Sequence, residues 1–130
     1  ALAPESLTSY LDVVQEPFNV NRAALAAGVA SLRPDVIEER RLETAAAREL
    51  LARLLADGGM RPAPSEANFL LVEAGVDDVA LAEALLRRGL LIRAGSEFGL
   101  PRTVRITLAP APVMERVAAE LVSARAELAD

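Results

Sequence analysis

The hydrophobic pattern changes character midway along the chain. Up to Asp57, apolar residues recur mostly at helical spacing; beyond Arg61, short continuous or alternating apolar runs break in. Leu7, Leu11 and Val14 predict a first helix over Pro4 to Gln15, which Pro17 interrupts. Asn19 and Asn21 are both candidate N-caps for a second helix, Arg22 to Leu32. Gly28 lies inside it, where glycine costs about 1 kcal/mol against alanine, so close packing against another element is expected. Pro34 suits the first turn of a third helix, and Asp35, Glu38 and Glu39 complement the dipole near its start. Ala47, Leu50, Leu51 and Leu54 give this helix, the longest, one buried stripe, and Gly58-Gly59 ends it.

In the second half, Arg61-Pro62-Ala63-Pro64 reads as an extended linker or an edge strand. Ala67 to Glu73 is a buried strand by its continuous apolar run. Asp77 reads as an N-cap, with Val76 and Leu81 as a hydrophobic staple. Leu81, Ala84 and Leu85 form the inner face of that helix, and Gly89 closes it. Two β-prone runs follow, Leu90–Arg93 and Thr103–Leu108, around a loop rich in Gly and Pro, which predicts an antiparallel hairpin. Alternation points Val104, Ile106 and Leu108 one way, and Thr103, Arg105 and Thr107 the other. Leu90 and Ile92 share a face opposite to that of Leu91 and Arg93. Pairing in the right register then brings Arg93 and Arg105 to one side. Pro112 starts a last helix with a stripe of Met114, Val117, Ala118 and Leu121. The order is three helices, then β-α-β-β-α. The expected class is α+β: a small, antiparallel-rich, three-stranded sheet with helices packed on it, the long helix sharing the cover of one face. Residues 34–130 form the expected small domain, and residues 1–33 a helical segment that leans on a domain outside this chain.

Composition narrows the chemistry. One hundred and thirty residues, 52% of them hydrophobic, suffice for one real core. A net charge of −5 and only 3% aromatic residues argue against nucleic-acid partners. There is no cysteine and no histidine, so thiol nucleophiles, zinc–thiolate sites and the commonest general base are absent, and no metal site is expected. No apolar run is long enough to span a bilayer and no signal-peptide pattern opens the chain, which makes cytoplasm the expected location. All fourteen basic residues are arginine. Two guanidinium groups on one sheet face repel unless an anion sits between them, and arginine grips carboxylate or phosphate with a two-pronged planar contact. Arg105 and Arg93 are therefore the leading candidate ligands for a small anion. Asn68 is a third, though a turn residue satisfying backbone groups accounts for it too. Arg40-Arg41 reads as a solvated helix face, and Arg87-Arg88 as a solvated pair complementing a helix C-terminus.

Three segments, in order, carry a resemblance: Pro17-Phe18-Asn19-Val20-Asn21, Ser65-Glu66-Ala67-Asn68-Phe69, and Phe98-Gly99-Leu100-Pro101 leading into the strand of Arg105. Together they resemble the C-terminal part of class I/II pyridoxal-phosphate aminotransferases, most closely the histidinol-phosphate aminotransferases, over nearly the whole chain. The resemblance implies the small C-terminal domain of a fold-type I pyridoxal-phosphate transferase. It implies amino transfer between an amino acid or amino-alcohol phosphate and a 2-oxo acid such as 2-oxoglutarate. Arg105 would bind the substrate carboxylate, and Arg93 a distal anion. Glu97 stands where the family commonly has no acid, and pairing with Arg93 would neutralise that arginine. The family carries its cofactor on a lysine, which this chain lacks, so no catalytic residue is expected within it. The implied arrangement is the C-terminal part of a longer, homodimeric enzyme whose large domain holds most of the cofactor. A decarboxylase or an aromatic aminotransferase on the same scaffold fits the same residues. A stand-alone, non-catalytic βαββα module for small acids, or a helical dimerisation domain, is the rival of another class.

Overall fold

Helix-forming sequence occupies the first part of the chain and mixed sequence the rest. The computed structural model describes residues 3–16 and 18–129. The expected break at Pro17, and the Pro17 position of the first resemblance segment, lie outside the described residues. The chain resolves into two units, Ala1–Ile37 and Glu38–Asp130.

In the first unit, α1 spans Glu5–Val14 and α2 spans Arg22–Ser31, and neither buries a side chain among the described residues. Asn21, rather than Asn19, caps α2: its Oδ1 accepts the Ala24 N–H at 2.9 Å. The packing expected at Gly28 is not found. A Cβ there would meet nothing within 4 Å, because α2 has no neighbouring element on that side among the described residues.

The second unit holds most of α3 (Pro34–Asp57), β1 (Arg61–Pro62), β2 (Phe69–Glu73), α4 (Asp78–Arg87), β3 (Arg93–Ala94), a 3-10 turn (Gly95–Phe98), β4 (Thr103–Thr107) and α5 (Ala111–Ala129). The class is α+β, with a fully antiparallel sheet in the order β1-β2-β4-β3. The sheet has four strands rather than three. Arg61–Pro62 pairs with the end of β2, and as an edge strand it tolerates the missing N–H of Pro62. The strand expected over Leu90–Arg93 contracts to Arg93–Ala94. The Leu90 N–H is taken by the Leu85 carbonyl at 2.9 Å, closing α4 over Gly89, whose φ of 76° suits glycine alone at low cost.

Leu70 and Val72 of β2 and Val104 and Ile106 of β4 point into the core with 2% exposure or less. Leu51 and Leu55 of α3, Leu81 and Leu85 of α4, and Met114 and Leu121 of α5 complete it. The buried stripe of α3 runs through Ala47, Leu51 and Leu55, with Leu50 and Leu54 on its flank. Asp77 caps α4 through the Ala80 N–H, and Val76 packs against the core as the staple requires. Arg88 is not a solvated side chain. It forms ion pairs with Glu120 and Glu127, at 3.0 and 2.6 Å, and so ties the end of α4 to α5. Arg40 and Arg41 do lie on an exposed face, paired with Glu43 and Glu38. In this unit α3, α4 and α5 pack on one side of the sheet. The other side, with Phe69, Leu71, Arg93, Thr103 and Arg105, is half-buried or exposed. No helix among the described residues is long and apolar enough to cross a membrane.

Candidate anion-binding site

The ladder between β3 and β4 sets Arg93 directly opposite Arg105, as alternation along β4 requires. Across β2 and β4, Leu71 stands opposite Arg105. Directly opposed residues of an antiparallel pair have Cβ atoms about 5 Å apart, and like charges there repel. The two arginines relieve that repulsion differently. Arg93 donates from Nε and Nη2 to one oxygen of Glu97, at 3.0 and 2.5 Å, and its Cζ lies 5.0 Å from the centre of the Phe98 ring.

Arg105 has no carboxylate partner among the described residues. Its Cζ lies 4.7 Å from the Phe69 ring centre and 5.9 Å from that of Phe98. Its Nε is buried and makes no hydrogen bond. An unpaired buried donor costs about 1–3 kcal/mol. The aromatic faces offset part of the charge by cation–π attraction but supply no hydrogen-bond acceptor.

Asp78 holds the loop that delivers Glu97 and Phe98. It sits at the first position of α4, only 3% exposed, and its carboxylate accepts the Ser96 N–H at 2.7 Å, the Ser96 hydroxyl at 2.9 Å and the Arg102 N–H at 2.8 Å. Burial pushes the Asp78 carboxyl up, but those hydrogen bonds outweigh burial and hold it below the usual aspartate range. Sequence reasoning passed over Asp78. Its only signal was a second aspartate directly after the capping Asp77, where one acid suffices for the cap.

Asn68 lies in the bend before β2. Its carbonyl accepts the Leu108 N–H at 2.9 Å, and its exposed side chain makes no hydrogen bond among the described residues. The bend is fixed on both sides: the Ser65 hydroxyl donates to the Phe69 carbonyl, and Arg48 Nη1 donates to the Ala67 carbonyl. The structure thus brings Arg93 and Arg105 together, and leaves Asn68 beside them only through its neighbour Phe69. A separate cleft of about 510 Å³, lined in part by Glu43, Ala47, Leu50 and Leu108, holds none of the three.

The sequence matches the profile of aminotransferase class I and II over residues 1–121. The chain belongs to the class I and II aminotransferase family. Within it, the chain is 40% identical over 108 residues to the histidinol-phosphate aminotransferase of Nitratidesulfovibrio vulgaris strain DP4, covering 82% of this chain and 29% of that protein. It is 42% identical over 110 residues to that of Symbiobacterium thermophilum, covering 82% of this chain and 30% of the relative. Among solved structures, the histidinol-phosphate aminotransferase of Sinorhizobium meliloti, in complex with pyridoxal-5′-phosphate, superimposes with a TM-score of 0.71 at 30% identity, covering 95% of this chain and 35% of that one. The chain therefore spans about a third of the length of the aminotransferases it matches. With no lysine in the sequence, no side-chain amine is available to carry pyridoxal phosphate, and the residues of this chain do not fit that role.

Proposed function

We propose that this chain is the substrate-recognising C-terminal part of a longer pyridoxal-phosphate aminotransferase of the histidinol-phosphate aminotransferase kind. Residues 34–130 form its small domain, and residues 1–33 pack against the large domain that bears the cofactor and its lysine. The reaction is amino transfer between an amino compound and a 2-oxo acid such as 2-oxoglutarate, in a cytoplasmic homodimer. The observation that carries this reading is the buried, unpartnered Nε of Arg105 on the sheet face away from the core.

Arg105 contributes binding and orientation. Its guanidinium donates to a substrate carboxylate lying in the plane of the group. The Phe69 and Phe98 rings keep the guanidinium plane from swinging and limit water around it. Lower local polarity strengthens a charge-assisted hydrogen bond. Fixing the carboxylate fixes the rest of the small molecule, and correct placement of a reacting carbon accounts for much of the acceleration in such reactions. Arg93, opposite Arg105, and Asn68, on its braced bend, are the other substrate contacts of this reading.

The test is a transamination screen on the full-length protein, with several amino donors and 2-oxoglutarate. Turnover that Arg105→Ala depresses through substrate affinity, with cofactor occupancy intact, supports the reading. Loss of cofactor with unchanged substrate affinity overturns the role of Arg105.

A further inference from the structure

We propose that Asp78 is a positioning residue for Arg105: its buried carboxylate joins the two backbone segments that set the guanidinium in place. The proposal rests on the reading of Arg105 as the carboxylate ligand. Capping does not account for Asp78, since Asp77 already caps α4 through the Ala80 N–H. Core packing does not account for it either. Of residues 95–102, the loop it holds, Gly95 alone is buried, and Glu97, Phe98 and Leu100 are exposed. A buried carboxylate costs free energy unless donors surround it, and the donors that meet this one belong to Ser96 and Arg102.

The two segments reach Arg105 by different routes. Ser96 gives its N–H and hydroxyl to Asp78, and two residues further on the Phe98 ring centre lies 5.9 Å from the Arg105 Cζ. Cation–π attraction acts within about 6 Å of a ring centre, so a turn displaced by about 1 Å takes the ring out of range. Arg102 gives its N–H to the same carboxylate at 2.8 Å, three residues before Arg105. Its φ of 61° is left-handed, a conformation that a residue with a long side chain keeps only where its surroundings hold it. Asp78 holds the N–H of Arg102, and the Ala74 N–H holds its carbonyl at 3.0 Å, so β4 leaves the loop in one direction. Alternation from Thr103 then sends Arg105 to the ring-lined face. One carboxylate thus fixes both the ring against the guanidinium and the strand that bears it.

The experiment measures the binding of glutarate, a dicarboxylate with no amino or oxo group to exchange, to the full-length holoenzyme by calorimetry, with cofactor content read beside it. In Asp78→Asn, whose amide can present an N–H where a donor needs an acceptor, the Kd of glutarate rises by about fivefold and cofactor content is unchanged. In an Arg105→Ala background the same substitution changes the Kd no further, because the residue it acts through is gone. Ser96→Ala removes the hydroxyl contact and leaves the carboxylate in place; it raises the Kd by about twofold, and it decides the matter should Asp78→Asn fail to fold. A role in stability alone gives a lower urea midpoint with an unchanged Kd in both variants, and that result overturns the inference while leaving Arg105 as the ligand. Losses that add in the double variant also overturn it, since they reveal a path that bypasses Arg105. If Arg105→Ala by itself leaves the Kd unchanged, the reading of Arg105 fails and this inference falls with it.

Discussion

Arg93 and Arg105 stand directly opposite one another across the β3–β4 ladder, and of the two only Arg93 has a carboxylate partner among the described residues. The asymmetry is chemical rather than topological, since both project to the same side of the sheet. A glutamate four residues after Arg93 satisfies one guanidinium. Aromatic rings, which cannot accept the in-plane hydrogen bonds, surround the other. Arg105 is left with its Nε unpartnered among the described residues.

Replacing Arg105 should therefore show in ligand affinity. A charge-assisted contact contributes roughly 1.5–3 kcal/mol, so Arg105→Ala is expected to weaken a carboxylate ligand by about 10- to 100-fold. Arg105→Lys keeps the charge but loses the fork and most of the stacking, and recovers only part of the affinity. Calorimetric titration of both variants in the full-length protein checks the order. Full recovery by lysine would mean that charge alone, and not the planar contact, holds the ligand.

The Phe98 ring serves both arginines, at 5.0 and 5.9 Å. Phe98→Leu retains apolar bulk and removes the quadrupole, worth about 0.5–1 kcal/mol at an exposed site. A two- to fivefold loss of carboxylate affinity is expected, roughly what that energy corresponds to. Phe98→Tyr should restore it. Equal losses in both variants would show that shape at this position, not the ring face, is what matters.

The shared face of Arg93 and Arg105 was legible in the sequence because β4 alternates without interruption from Thr103 to Thr107, and a period of two fixes direction. The caps at Asn21 and Asp77 were legible for a similar reason: both are local rules, satisfied within three residues. The misread features depend on partners distant in sequence. Asp78 meets Ser96 and Arg102, and Arg88 meets Glu120 and Glu127, across separations that no periodicity encodes. The 3-10 turn at Gly95–Phe98 likewise owes its shape to Asp78, and so hid inside what reads as an irregular loop. Gly28 shows the opposite error, a local rule extended to tertiary packing that this chain does not make.

Asp78 should make the second unit sensitive to acid. Its carboxyl lies below the usual range in the folded protein, so in acid the unfolded chain binds the proton first. Its contribution to stability is complete at pH values above the ordinary aspartate range and is lost as pH falls through that range to the lowered folded value. Asp78→Asn turns an amide N–H toward a backbone donor and is expected to cost about 1–3 kcal/mol near neutrality. Urea unfolding at a series of pH values checks both statements. The gap between wild type and variant should close as the solution becomes acidic, and a gap that stays constant would place the lost stability elsewhere.

Gly95 tests whether the loop behind the site has any slack. A Cβ built there would overlap the Thr103 hydroxyl and the Leu100 carbonyl oxygen, and would press on the Thr103 carbonyl. Two of those three neighbours are backbone, which cannot swing aside as a side chain can. Gly95→Ala must therefore push the 3-10 turn away from β4, at about 1–3 kcal/mol for overpacking of this kind. A lower urea midpoint is therefore expected, and an unchanged midpoint would show that the turn can shift away from its neighbours at no cost.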